Sequence, residues 1–332
     1  MSERRATAVA SPNIALIKYW GNLVPALRLP ANASLSMTLA GLQTETTVIF
    51  DDRLESDQIE IDGSPATQKA ANRVTEHLDL IRTLSGKPAF ASMHSQSNFP
   101  TGAGIASSAS AFAALTTAAS SAAGLDLSKK QLSILARRGS GSAARSIFGG
   151  FVQLYSGETS EDGFAEQLAP ADHWQLVDLI AVVRKEHKST GSSEGHMLAP
   201  TSPIQTARVL DAARRLEICK NAILQKDFLA LTQIVEQDSN LMHSVMMTSD
   251  PPLLYLEPES TCVMNHVTHW REDGLEVCYT IDAGPNVHCI CSSDDSLEVE
   301  RQLRSIDGIL DVLRCEPGDG VSLKVNIEQT PQ

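Results

Sequence analysis

The 332 residues carry 40 Asp and Glu against 27 Lys and Arg, a net charge of −13, and 42% of them are hydrophobic. That composition supports a packed core and argues against disorder, a nucleic-acid surface or an anionic membrane as partner. No apolar run reaches the roughly 20 residues that span a bilayer, and none follows residues 1–5, so neither a membrane span nor a signal peptide is expected.

In chain order, residues 43–50 alternate as a strand and 58–61 form a second, closed by Asp62-Gly63. Residues 67–84 place Val74, Leu78 and Ile81 at helical spacing, and 90–97 alternate again. A loop from Asn98 to Gly104 then leads into a long small-residue helix ending near Gly124. Ser128 is a good N-cap for the next helix, which Gly139 stops. Residues 176–183 read as a buried strand, 202–231 as one strongly helical stretch, and 276–292 as strand, turn, strand about Ala283-Gly284-Pro285-Asn286. Residues 320–327 read as a final strand. Strands and helices mix without regular alternation, which predicts an α+β fold. Polar and proline residues between 163 and 174 divide it into units 1–170 and 171–332. The six cysteines all lie from Cys219 onward with no C-x-x-C pair, which suits a reduced, cytoplasmic chain.

Four segments carry chemistry. Pro100, Thr101, Gly102, Ala103, Gly104, Ile105, Ala106, Ser107 and Ser108 form a small-residue loop whose N–H groups, with the following helix N-terminus, can hold phosphate. Ser107 or Ser108 can reach a phosphate oxygen or Mg²⁺. No Lys follows the glycines, so it is not a Walker A loop, and a tight turn into a closely packed Ala helix is the plainer alternative. Ser140, Gly141 and Ser142 make a second such turn, with Arg145 one turn inside a helix. That Arg can grip a carboxylate bidentately, or lie on the surface. Asp282 ends an apolar strand, as a base or orienter, or merely as a bond to its own turn. Residues 13–21 set a lone Lys18 beside Tyr19 and Trp20. His266 and His269 are helically spaced without a carboxylate or Cys partner, and His243 and His288 read as structural.

Together these segments resemble the GHMP kinase superfamily and, within it, the diphosphomevalonate and phosphomevalonate decarboxylase branch. The matching stretches are N-I-A-L-I-K-Y-W-G (13–21), N-F-P-T-G-A-G-I-A-S-S-A (98–109), G-S-G-S-A-A-R-S-I-F-G-G (139–150) and D-A-G-P-N (282–286). L-P-A-N-A-S-L-S-M-T-L (29–39), D-S-N-L-M-H (238–243) and P-P-L-L-Y-L (251–256) match more weakly. The resemblance implies a two-domain GHMP-kinase-like fold with its active site in the interdomain cleft, and ATP and Mg²⁺ as cofactors. It implies phosphorylation of a tertiary 3-hydroxyl, then loss of phosphate and CO₂ to leave an alkene. Asp282, Lys18 and Arg145 would be catalytic, residues 100–108 would bind ATP, and Arg73 is a candidate to reach nucleotide. Tyr19, Asn22, Ser140, Gly141, Ser142, Arg145, Ser192 and Ser193 would bind a phosphorylated mevalonate. The family's tendency to dimerise implies a homodimer, although the sequence shows no interface stripe.

The sequence departs from this pattern at two positions. Asn22 stands where diphosphate-using relatives usually place Lys, and Ser193 where bacterial ones often place Arg. Two lost charge-assisted bonds of roughly 1.5–3 kcal/mol each would weaken diphosphate binding by about 10²–10⁴. The expectation is therefore a phosphomevalonate decarboxylase giving isopentenyl phosphate, with diphosphomevalonate decarboxylase as the alternative. If the diphosphate were preferred, Arg28 or Lys188 would have to replace the missing contacts. A mevalonate 3-kinase is less favoured because Lys18, Arg145 and Asp282 are all present. A non-catalytic nucleotide-binding protein is disfavoured on the same ground.

Overall fold

The computed structural model describes residues 4–99, 107–184 and 190–324. Strands β1 (Arg4–Ala10), β2 (Asn13–Ile17), β3 (Asn22–Val24), β4 (Leu29–Pro30), β5 (Ser34–Thr38), β6 (Thr44–Asp51), β7 (Gln58–Ile61) and β8 (Ser64–Pro65) precede helix α1 (Gln68–Ser85). Strand β9 (Phe90–Ser97), helices α2 (Ser107–Ala122), α3 (Lys129–Gly139) and α4 (Ala143–Ser146), and strands β10 (Phe151–Leu154) and β11 (Ala165–Ala169) follow. The second half runs β12 (Leu176–Val182), α5 (Ser192–Leu198), α6 (Gln205–Gln225), α7 (Phe228–Met247), α8 (Pro258–Glu272), β13 (Val277–Thr280), β14 (Val287–Ser292), α9 (Ser296–Leu303), β15 (Asp311–Cys315) and β16 (Ser322–Lys324).

The mixture is α+β, as the irregular strand and helix order predicts. One sheet has the order β16-β1-β6-β9-β7-β8, in which only β7 and β9 run parallel. Strand β6 alternates buried Thr44, Thr46, Val48 and Phe50 with half-exposed neighbours, so one face of this sheet is covered. Helix α2 covers it, and its buried Ala109, Ala113, Ala114 and Ala118 let helix and sheet approach closely. Helix α3 starts at a reciprocal cap, in which the Ser128 hydroxyl accepts from Gln131 N–H and the Gln131 side chain accepts from Ser128 N–H.

Strand β12 is buried along its whole length because each face serves a different core. Leu176 and Ile180 join a cluster with β2, β5, Phe151 and helices α6 and α7. Val177, Leu179 and Ala181 join the cluster under α8 and α9. The first of these clusters links the sheet β11-β10-β5-β2 to the sheet β13-β14-β12-β15, so the ends of β2 and β13 meet across one interior.

Two sequence expectations change here. The stretch 202–231 is two helices, α6 and α7, because Lys226 takes a left-handed φ of 56° and Asp227 caps α7 through Ala230 N–H at 3.0 Å. The final strand does not stay with the second half: β16 pairs antiparallel with β1, Thr7 opposite Lys324, as an edge of the first sheet. Its expected continuation, 325–327, lies outside the described residues. Among the described residues no helix is long and apolar enough to cross a membrane.

Candidate active site

Strand β2 shifts register against β5 between Ala15 and Ile17 and then stops, which delivers Lys18 into a cleft between the two halves. Asp282 arrives from the other side, just past β13. Lys18 Nζ donates to Asp282 Oδ1 at 2.7 Å, and the two side chains are 1% and 25% exposed. The turn after Asp282 is closed by its backbone carbonyl, which accepts from Gly284 N–H at 2.8 Å. The carboxylate is thus paired with Lys18 across the cleft, beside a turn that the backbone closes. Burial by itself would raise the Asp282 carboxyl, but the attraction of Lys18, with His288 and Arg145 adding, holds it below its ordinary value. Burial pulls the Lys18 ammonium down, and Asp282 opposes that pull.

Arg145 is buried on α4 at 3% exposure, which removes the surface alternative. Its Nε donates to Asn13 Oδ1 at 3.1 Å and its Nη1 to Ser34 Oγ at 2.7 Å. Among the described residues no carboxylate lies within 4.0 Å of it. Burial lowers it to about 10, so the guanidinium stays charged at neutral pH and opens into the cleft.

The two small-residue turns also converge. Ser108 Oγ lies 3.1 Å from Ser140 Oγ, which lies 3.3 Å from Ser142 Oγ. A Cβ on Gly141 would stand 2.2 Å from the Tyr19 ring, so only glycine lets that turn lie under the aromatic. The Tyr19 hydroxyl donates to Asn22 Oδ1 and, at 3.4 Å, reaches the Arg28 carbonyl. Burial pushes the Tyr19 phenol up. Ser192 and Ser193 begin α5 at the cleft edge. Ser107 and Ser108 also line the cleft, whereas Pro100, Thr101, Gly102, Ala103, Gly104, Ile105 and Ala106 lie outside the described residues.

Sequence reasoning did not assign Lys69 or His196 to this cleft of about 380 Å³, and named Arg28 only as a contingency. Arg28 Nη1 donates to Ser193 Oγ at 3.1 Å, and Lys69 and Arg73 line the same space. The side chain of His196 accepts from Gly21 N–H at 3.0 Å through Nδ1, with its ring 4.4 Å from Tyr19 and 4.5 Å from Trp20. No motif marks Arg28 or Lys69; folding alone brings them here. Lys188 lies outside the described residues. Of the remaining histidines, His288 bonds Asp178 at 2.7 Å, His243 lies 3.4 Å from the Ile281 carbonyl, and His269 bonds Asn265 within α8.

Residues 10–165 match the family described as diphosphomevalonate decarboxylase-like N-terminal domain, and 178–313 the mevalonate 5-diphosphate decarboxylase C-terminal domain. The chain is 39% identical to the diphosphomevalonate decarboxylase of Ganoderma lucidum over 311 residues, covering 86% of this chain and 78% of that one. It superposes on the mevalonate diphosphate decarboxylase of Staphylococcus aureus with a TM-score of 0.92 at 36% identity, over 97% and 98% of the two chains. A solved complex, MDDEF with MVAPP, AMPPCP and magnesium, superposes at 0.90 with 38% identity, over 96% and 98%.

These relatives overturn the expectation of a phosphomevalonate decarboxylase, since the ones matched over most of their length are diphosphomevalonate enzymes. That expectation rested on the missing cations at Asn22 and Ser193. It gave too little weight to charge from elsewhere: Arg28, named as a contingency, bonds Ser193, and Lys69 and Arg73 line the same cleft.

Proposed function

The chain belongs to the diphosphomevalonate decarboxylase family of the GHMP kinase superfamily, and from that premise we propose that it decarboxylates diphosphomevalonate to isopentenyl diphosphate. It is an ATP-dependent carboxy-lyase that uses Mg²⁺. The observation that carries the substrate reading is a cation-rich cleft in a chain of net charge −13, with Lys18, Arg28, Lys69, Arg73 and Arg145 against two carboxylates, Glu194 and the Lys18-paired Asp282. Such a cleft fits a polyanionic substrate and nucleotide phosphates. The hydroxyls of Ser107 and Ser108 suit a hard cation that shares phosphate oxygens, because Mg²⁺ keeps oxygen ligands from both protein and phosphate.

When bound, ATP with Mg²⁺ supplies the phosphoryl group that makes the 3-hydroxyl a leaving group. In this reading Asp282 orients that hydroxyl and takes its proton, and Lys18 keeps Asp282 ionised until then. Arg145 holds the C1 carboxylate with its charged fork. Once that proton has passed from Asp282 to solvent, the carboxylate, ionised again beside Lys18, stabilises the positive charge growing at C3 as the C3–O bond to phosphate breaks. The C1–C2 bond then releases CO₂, and its electron pair becomes the C2–C3 double bond. Tyr19, Asn22, Arg28, Ser192 and Ser193 take the diphosphate end, and Ser140, Gly141 and Ser142 the middle of the cleft. Residues 100–108 hold ATP within the unit 1–170, and 171–332 supplies Asp282. The reading includes a cytoplasmic homodimer. Six free cysteines support the reducing compartment, and light scattering tests the dimer.

The deciding experiment gives the purified protein ATP, Mg²⁺ and either diphosphomevalonate or phosphomevalonate, and follows ADP and CO₂. Diphosphomevalonate should win in kcat/KM by at least about tenfold. Absence of CO₂ release from it would overturn the reading.

A further inference from the structure

We propose that Asp238, Arg208 and Arg215 are positioning residues, a buried clasp from α6 and α7 that fixes the backbone of Lys18 so that its ammonium meets Asp282. The proposal rests on the reading that Lys18 and Asp282 act on the substrate. Lys18 has just left its strand, so its own N–H and carbonyl have no ladder partner and must be satisfied elsewhere. Asp238 Oδ2 accepts from Lys18 N–H at 2.6 Å. Arg208 Nη2 donates to the Lys18 carbonyl at 2.9 Å, and Asn32 Nδ2 donates to the same oxygen at 3.0 Å. Arg208 Nη1 in turn holds Asn32 Oδ1 at 3.3 Å. Both backbone polar groups of one residue are thus held by charged side chains from the opposite half of the chain.

The charges of the clasp close among themselves. Asp238 Oδ1 accepts from Arg215 Nε at 2.7 Å, and its other oxygen lies 4.0 Å from Arg208. Arg215 also reaches Asp211 at 2.7 Å and the Arg208 carbonyl at 3.0 Å. Arg215 and Arg208 take up most of the Asp238 charge, so Asp282 is the larger attraction on the Lys18 ammonium and Asp238 the smaller. Asp238 and Arg215 are 0% exposed and Arg208 3%. Buried ion pairs add little stability over well-packed apolar groups, because desolvation offsets their attraction. What apolar packing at the same place would lack is a donor and an acceptor for Lys18. The D-S-N-L-M-H segment (238–243), which begins with Asp238, thereby gains a role.

The test uses Arg208→Met, Arg208→Lys and Asn32→Ala in the full chain, beside wild type and Asp282→Asn. Two readouts separate positioning from structure. The first is the pH profile of kcat. The second is the titration of the Asp282 carboxyl by ¹³C NMR, assigned by difference from Asp282→Asn. Asp282 is faced by Lys18 at the end of β2, Arg145 on α4, His288 on β14 and His243 on α7. Of these only Lys18 is held by the clasp. Releasing Lys18 should let Asp282 titrate at higher pH, so the acid limb of kcat moves up with it. Arg208→Met should lose on the order of 10–10² in kcat, the scale of an ångström-sized misplacement, with ATP KM within about threefold. Arg208→Lys should recover part of it. Asn32→Ala keeps every charge and should move both readouts the same way by less, so it carries the test if Arg208→Met does not fold. An unmoved Asp282 titration, or a kcat loss that only follows the folded fraction, overturns the clasp. Turnover near wild type in Asp282→Asn would instead sink the chemical reading, while the NMR titration still judges the clasp.

Discussion

At the scale of single residues the cleft depends on which charges have partners. Asp282 is paired with Lys18, whereas Arg145 and Arg28 hold only neutral oxygens at the hydrogen bonds described. Asp282→Asn keeps the shape and removes the charge, so ATP-dependent CO₂ release should fall by at least about 10² with nucleotide affinity nearly unchanged; turnover near wild type would remove Asp282 from the chemistry. Arg28→Gln should raise KM for diphosphomevalonate by about tenfold or more, the value of one charge-assisted bond. KM for ATP is the control, and steady-state kinetics in both substrates reads the two apart. The sequence displayed Lys18, Arg145 and Asp282 in separate motifs, but Lys18 and Asp282 lie 264 positions apart and only the family resemblance placed them together. Arg28 and Lys69 carried no local mark, because an isolated basic residue looks the same on a surface as at a cleft. Arg208 and Arg215 on α6 carried no mark either, and nothing in their spacing foretold that Lys18 would need them.

Elements carry the same lesson in their backbones. The alternation of β6 and the apolar spacing of α1 were legible because each buries one face, and period alone reveals that. Strand β2 was not, since its five buried residues have neither a period nor the longer apolar run that marked β12. The break between α6 and α7 was hidden because a left-handed Lys226 leaves no glycine or proline in the sequence. The turn at Gly141 is the element on which cleft shape most directly hangs. Gly141→Ala should destabilise the protein by about 1–3 kcal/mol, the usual cost of overpacking, and raise KM as Tyr19 is displaced from Asn22. Combined with Tyr19→Ala, which vacates the space, the second change should cost less than alone. Thermal unfolding of the four proteins measures that coupling, and strict additivity would show that the ring and the turn do not touch.

For the whole molecule, two buried histidines in different cores set the response to acid. The two-unit plan could be read from composition, but the return of β16 to the first sheet could not, and it ties the far end of the second half to the core that contains His77. His77 bonds Thr116 Oγ1 at 2.8 Å through Nε2, and burial, with Arg138, Arg28 and Arg73 nearby, lowers it to about 3. His243, under the cleft, is lowered to about 4 by burial and then by Lys18. Both are neutral in the folded protein near pH 5, while in the unfolded chain both bind protons below about 6.5. The unfolded state then holds the extra protons, so stability falls as pH falls. The loss begins near pH 6.5 and runs until each folded group titrates in turn, near 4 and near 3. Each proton contributes about 1.4 kcal/mol per pH unit, so the pair contributes about 2.7. Against a total stability of about 5–15 kcal/mol, a drop from pH 6.5 to 5 is a large fraction. Asp282 adds to it only lower down: its depressed carboxyl stabilises the fold above about 3.8 and loses that contribution as pH falls through its folded value. Urea unfolding at pH 7, 6 and 5 should therefore give midpoints that fall with increasing steepness. In His77→Gln, which cannot titrate, the slope between pH 6 and 5 should be close to half that of wild type even if its stability at pH 7 is lower. An unchanged slope in that variant would mean that His77 does not stay neutral in the folded core.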